Sequence, residues 1–227
     1  MTTYLITGAT RGIGLELARQ LRGLGRRVVA TARDPGRAAE LAQAGATIVA
    51  LEAADPGSIA SFPSRLADAG VRAVDVLINN AGVNAEGCSW GAVTAPEFLR
   101  VLNVNTVAPV LVTQALLPLL RAGHAKLVVN ISSILGSIAQ NSGASNIPYC
   151  ASKAALNQAS VSMAHALKPH GVRVVAIHPG WVRTDMGGQN APLEPAQSAA
   201  SILATLDRLS PDDTACFLNY DGTPIPW

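Results

Sequence analysis

Charge is scarce in this sequence. Only 14% of its 227 residues are Asp, Glu, Lys or Arg, and they leave a formal net charge of +2. So small an imbalance offers no electrostatic footing for a nucleic-acid backbone or an anionic membrane surface. Cysteine is nearly missing: Cys88, Cys150 and Cys216 are odd in number, far apart and form no CxxC. That excludes a disulfide framework and suits reduced thiols in the cytosol. The four histidines (124, 165, 170, 178) form no HExxH or other ligand spacing, so no metal site is expected. No apolar run reaches the roughly 18 residues of a membrane span. The start, MTTYLITGATRGIG, lacks the basic and apolar regions of a signal peptide. A cytoplasmic protein is the expectation.

What is plentiful is apolar side chain, 49% of the residues, enough to bury a large core in a single domain spanning 1–227. Short β-branched runs alternate with helical patterns. TYLI, RVVAT, ATIVAL, VDVLI, KLVVNIS, VRVVAIH and CFLNY are seven candidate strands, beginning at residues 3, 27, 46, 74, 126, 172 and 216. Runs that are apolar on both faces predict a parallel sheet covered on two sides, and right-handed crossovers make it doubly wound. The expected fold is therefore α/β, a Rossmann-type seven-stranded parallel sheet with helices on both faces. Asp34-Pro35 and Asp55-Pro56 have the form of helix starts. The stretches 135–148 and 186–195 are the only Pro/Gly/Asn-rich ones, placed as active-site loops.

TGATRGIG (7–14) follows the first strand and opens the first helix. Its glycines allow a sharp turn and let backbone N–H groups approach a pyrophosphate at the positive end of the helix. The spacing, Gly8-xxx-Gly12-x-Gly14, differs from GxGxxG. A site for NAD has an acid at the end of the second strand; here that strand ends in Ala32, followed by Arg33, and Arg11 stands inside the glycine turn. Two guanidiniums and no carboxylate favour NADP(H) with its 2′-phosphate, NAD(H) remaining possible. Asp34 is one residue out of register for the ribose.

YCASK (149–153) sets Tyr149 one helical turn before Lys153, a phenol beside an ammonium on one face. TGATRGIG, NNAG (79–82), Asn105, ISS (131–133), YCASK and HPGWVRTD (178–185) occur in the order of the short-chain dehydrogenase/reductase family, which the chain resembles over nearly its whole length. PGWVRTDMGG and FLNYDGTPIPW further resemble its C-factor-like and sniffer-type carbonyl reductase subgroup. The resemblance implies that Tyr149 is the general acid, that Lys153 lowers its pKa and binds the nicotinamide ribose, and that Ser133 holds the substrate oxygen. Ser132 competes for that last role, and Gly136 at the family's spacing favours Ser133. Asn105 is implied to hold a water of the proton relay; Asn103 is its neighbour, and the spacing to Pro109 favours Asn105.

The same resemblance places the cofactor against Gly8, Thr10, Arg11, Gly12, Ile13, Gly14 and Arg33. It adds Glu52 and Ala53 at the adenine, the turn of Asn79, Asn80, Ala81 and Gly82, and then Pro179, Gly180, Val182 and Thr184. Glu52 stands where many members have Asp, and the spacing of 16 from Ser133 to Tyr149 implies an insertion within 135–148. Ser133, Leu135, Trp181 and Met186 are the implied substrate contacts, with Trp90, Ile134 and Ile147 around them and Asn141 and Asn146 as polar exceptions. Arg183 is assigned to the cofactor side. A pocket of this composition fits an uncharged apolar or aromatic aldehyde or ketone and its alcohol. The family's helices imply a homodimer or homotetramer. A signalling protein that binds a nucleotide without turnover is the alternative, and the intact Asn-Ser-Tyr-Lys set favours an enzyme. No GxSxG elbow supports a hydrolase.

Overall fold

A computed structural model describes residues 1–85, 90–143 and 146–227; Cys88 lies outside them. The elements run β1 (Thr3–Ile6), α1 (Gly12–Gly23), β2 (Arg27–Ala32), α2 (Ala39–Gln43), β3 (Thr47–Ala50), α3 (Pro56–Ala60), α4 (Phe62–Asp68), β4 (Val76–Asn79), α5 (Ala95–Leu102), α6 (Ala108–Ala122), β5 (Leu127–Ile131), α7 (Ile147–Leu167), β6 (Arg173–His178), α8 (Pro195–Arg208) and β7 (Cys216–Asn219). The seven strands are parallel in the order β3-β2-β1-β4-β5-β6-β7. All seven expected strands are present, shifted by a residue or two at their ends.

Alternation along each strand divides the core between the faces. Ile6, Val28, Ile78, Val129 and Val175 pack with α1 and α8, whereas Leu5, Val29, Leu77, Val128 and Val174 pack with α4, α6 and α7. The order reverses at β1, which pairs with both β2 and β4. In a doubly wound sheet the crevice at that switch point, beyond the carboxyl ends of the strands, is where ligands sit.

Two helical stretches are irregular. The Asp34-Pro35 start yields only a 3₁₀ turn, Pro35–Arg37, before the five-residue α2. Asp34 bonds the Gly36 N–H at 3.0 Å. The long 95–122 pattern is one helix interrupted by a π-turn at Asn103–Val107. Pro109 explains the interruption, because it lacks the N–H that would bond the Asn105 carbonyl in an α-helix. This stretch of 28 residues is long and apolar enough to span a membrane, contrary to the count of apolar runs. Val101, Ala108, Val112, Leu116 and Leu120 on it are buried in the protein.

Candidate active site

The glycine turn is held by the turn after β4. Gly8 has φ +63°, and a Cβ there would lie 2.7 Å from Ala81 Cα. The Asn80 side-chain amide donates to the carbonyls of Thr7 (3.0 Å) and Gly8 (2.9 Å). Thr7 Oγ1 accepts from the N–H groups of Asn80 and Ala81 at 3.0 and 3.1 Å. A Cβ on Gly14 would meet Asn80 Nδ2 at 2.5 Å, so α1 starts against this turn. Its N-cap, Arg11, makes no side-chain cap and its first turn has no acid. The amides there are open to an anion, with exposed Thr10 and half-buried Gly12 and Ile13 around them.

Asn79 is a correction to the cofactor set. Its side chain is buried and donates to Asn130 (2.9 Å) and Thr113 (3.2 Å), facing the core. Parallel-strand alternation places Asn80, not Asn79, at the mouth.

Gly8 N–H bonds Thr31 Oγ1 and Ala9 N–H bonds the Thr31 carbonyl, fixing the glycine turn beside the end of β2. That strand ends at Ala32, leaving Arg33 exposed beyond it. Because the Asp34 carboxylate caps Gly36, it is turned to its own loop and not to a ribose. Glu52 is occupied likewise, accepting from Ala54 N–H at 2.9 Å, while half-buried Ala53 is its neighbour.

At the end of β5 the two serines part. Ser132 Oγ donates to Asn157 Oδ1 at 2.6 Å inside the core, which removes it from the substrate side. Ser133 is hydrogen-bonded to the Tyr149 phenol and accepts from Leu135 N–H at 3.2 Å. Asn105 is fully buried; its amide donates to the Val83 carbonyl (2.9 Å) and Ser152 Oγ (3.0 Å), and its Oδ1 accepts from Val83 N–H. With that side chain saturated, the group that Pro109 leaves without its helical donor is the Asn105 backbone carbonyl.

Lys153 is 4% exposed, and its Nζ donates to the Ile131 carbonyl at 2.8 Å and lies 5.7 Å from the Tyr149 ring centroid. A Cβ on Gly82 would come within 3.8 Å of this Nζ and 3.4 Å of Asn105 Oδ1, so these residues meet in one place. Burial pushes the Lys153 pKa down to about 8. Burial pushes the Tyr149 phenol up to about 12, against the lowering by its Ser133 bond. Desolvation is the largest effect on the phenol, whose ring centroid lies 5.7 Å from the Lys153 ammonium.

The segment after β6 closes the other side. Gly180 has φ +86°, Pro179 accepts from Ser198 Oγ, and buried Val182 pairs with Leu193. Thr184 Oγ1 accepts from Gly187 N–H, and its methyl would lie 3.2 Å from a Cβ on Gly12. Arg183 pairs with Glu194 at 2.6 Å and donates to the Ala191 carbonyl, which turns it into its own loop.

The implied substrate contacts divide. Leu135, Ile147 and Asn141 line a cleft of about 230 Å3 with Ile138, Cys150 and Ala154. At 100° per residue, its α7 wall is turned by about 130° from Tyr149 and Lys153. Trp181 and Met186 are 57% and 44% exposed on the far loop and line no part of that cleft; Trp90 is 85% exposed and Ile134 39%. Asn146 opens α7 in the left-handed region and bonds Asn84 Oδ1. Residues 144 and 145 of this loop lie outside the described set.

Sequence reasoning missed Thr7, Ser152 and the chain Asn79–Asn130–Ser160, which joins β4, β5 and α7. The signal was present as polar residues inside apolar strand runs, since a buried amide needs partners. Among the described residues no cluster of His, Cys, Asp or Glu could hold a metal ion.

Comparison with known proteins agrees with this geometry. The chain is 44% identical over 154 residues to C-signal of Myxococcus xanthus, covering 68% of this chain and 93% of that one. Its fold matches carbonyl reductase Sniffer of D. melanogaster at a TM-score of 0.93, with 34% identity and both chains fully covered. The NADPH-bound carbonyl reductase from chicken fatty liver matches at 0.92, with 35% identity over 100% of this chain and 99% of that one. The short chain dehydrogenase profile matches residues 2–194, and the chain belongs to that family.

Proposed function

We propose that the protein is an NADPH-dependent carbonyl reductase acting on neutral aldehydes and ketones, with alcohol oxidation as the reverse. The observation that carries this is the meeting of the Ser133 hydroxyl, the Tyr149 phenol and the buried Lys153 ammonium beside Asn105, across the crevice from an uncapped glycine-rich helix start. The carbonyl-reductase neighbours, one of them holding NADPH, support the same reading.

Bound NADPH supplies the hydride. Ser133 positions the carbonyl oxygen, and Tyr149, protonated at neutral pH because its pKa stands near 12, gives that oxygen its proton. Lys153 steadies the phenolate left behind, returns a proton to it and is reprotonated from solvent by a water that the Asn105 carbonyl would hold; its ammonium would also hold the cofactor ribose. Arg33, just beyond the end of β2, and Arg11, at the start of α1, would take the 2′-phosphate as forked donors. The alternative, a nucleotide-binding signalling protein, is favoured by the 44% identity to C-signal. It does not require the saturated Asn105 and the Ser133–Tyr149 bond.

The test is oxidation of NADPH with a panel of neutral aldehydes, ketones and diones, run with Tyr149→Phe. Wild-type turnover is expected, falling by roughly 10²–10⁴-fold in the variant, since one general acid is removed. Cofactor binding should remain. Cofactor binding without turnover in the wild type would favour the signalling reading, and full activity in Tyr149→Phe would remove the phenol from the mechanism.

A further inference from the structure

The glycine turn is bridged by a contact from the distant loop after β6. Arg11 Nη1 lies 2.5 Å from Asp185 Oδ2, joining positions 174 residues apart, and both side chains are about three-quarters exposed (76% and 75%). Arg33 stands exposed beyond β2 with no partner among the described residues. Of the two guanidiniums placed for a 2′-phosphate, one is therefore already occupied by a carboxylate.

Asp185 is not carried there by the ion pair alone. Gly188 N–H bonds the Thr184 carbonyl at 2.9 Å, Gly187 N–H bonds Thr184 Oγ1 at 3.1 Å, and Trp181 Nε1 bonds the Gly187 carbonyl at 2.8 Å. Thr184 itself packs against Gly12, where a Cβ would be 3.2 Å from its methyl. The backbone of 184–188 thus keeps Asp185 beside the glycine turn whether or not Arg11 answers its carboxylate. A phosphate dianion seated on Arg11 must displace this carboxylate from Nη1 or share the guanidinium with it, and in either case lies close to a like charge. An ion pair this exposed is weak, so displacement is easy, but the residual like-charge repulsion remains.

We infer that Asp185 competes with the cofactor's 2′-phosphate for Arg11 and so weakens NADP(H) relative to NAD(H). Asp185 is then a specificity-determining residue acting through Arg11, and it holds the protein short of its strongest NADP preference. This rests on the reading of Arg11 as a 2′-phosphate contact in the proposed NADPH-dependent reductase. Arg11 is the one group the carboxylate bonds among the described residues, so its effect should follow the phosphate that Arg11 would hold.

The test uses two fragments that differ only by that phosphate, adenosine 2′,5′-bisphosphate and 5′-AMP. Their dissociation constants are measured by calorimetry on the full chain: wild type, Asp185→Asn, Arg11→Gln and the double variant. Asp185→Asn is expected to bind the bisphosphate roughly three- to tenfold more tightly, as an exposed pair and a screened repulsion allow. Its affinity for 5′-AMP should be unchanged, and the gain should shrink at high salt. The double variant should lose most of the gain, because the competition is for Arg11. Unchanged or weaker bisphosphate binding in Asp185→Asn would overturn the inference. Equal tightening of both fragments would also overturn it, since that marks a general loop effect. If the wild type itself binds the two fragments equally, the NADP reading fails with it; a wild-type preference that Asp185→Asn does not raise sinks only the Asp185 inference.

Discussion

Lys153 shows what one residue of this site costs the fold. It is buried with no carboxylate paired to it among the described residues, and burial lowers its pKa from 10.5 to about 8. Between those two values the unfolded chain holds the proton more firmly than the folded one, so stability rises with pH through that window and is lowest below it. At neutral pH the penalty is on the order of 3 kcal/mol, from about 1.36 kcal/mol per pKa unit. The bond from Nζ to the Ile131 carbonyl returns about 1.5–3 kcal/mol, because its donor is charged. Lys153→Met should therefore unfold at a higher temperature, by a net gain of about 0.5–2 kcal/mol at neutral pH, while losing activity. Its stability should no longer climb between pH 8 and 10.5. Denaturant titrations across that range measure both effects. A variant less stable than wild type at pH 7 would mean that the ammonium is held more favourably than its burial implies.

At the scale of elements, the residues after β7 strap the loop that follows β5. Asn219 N–H bonds the Thr223 carbonyl and Ile225 N–H bonds the Phe217 carbonyl, both at 2.8 Å, laying the chain back along β7. Trp227 stacks on Phe217 with centroids 5.5 Å apart. Ser137 Oγ then donates to the Pro226 carbonyl at 2.6 Å, and Ala139 N–H to the Trp227 carbonyl at 3.1 Å. These bonds fix the chain two and four residues beyond Leu135, the implied substrate contact that follows Ser133. Trp227→Ala should loosen the loop and raise KM for bulky apolar carbonyls severalfold, with the cofactor dissociation constant unchanged. Steady-state kinetics beside cofactor titrations separate the two, and an equal loss in both would show that the strap serves stability alone.

This strap was not legible in the sequence, although much around it was. Strands and the glycine turn announce themselves through local pattern: β-branched runs, and glycines where a Cβ would strike Ala81 or Asn80. Tyr149 and Lys153 could be paired because helix periodicity is local, and Ser133 was added by the family's spacing. Which of Asn79 and Asn80 faces the crevice depends on strand parity, and a strand end misplaced by one residue reverses it. Contacts such as Arg11 with Asp185, or Ser137 with Pro226, join segments far apart in the chain with no periodic signature, so only the fold reveals them.

For the whole molecule, the open question is what covers the outer side of the 95–122 helix. Its inner side is packed against the sheet and α7 through Val101, Val112, Leu116 and Leu120. On the outer side Leu99 is 65% exposed and Val107 42%, with Val110 and Leu111 only partly buried further along the same helix. The spacing from 99 to 107 to 111 keeps these side chains on one stripe. A helix apolar on two sides reads as membrane-like by hydropathy, but one side is already in the core. The other is best satisfied by a second copy, where a two-fold axis would set the stripe against itself. Each Leu or Val so covered contributes about 1.5–3 kcal/mol at most. The protein should sediment as a dimer or a dimer of dimers at micromolar concentration. Leu99→Glu combined with Val107→Glu should shift it toward monomer without unfolding it, because neither side chain belongs to the core. A wild type that sediments as a monomer at that concentration would leave the stripe as bare surface and remove the dimer from this account.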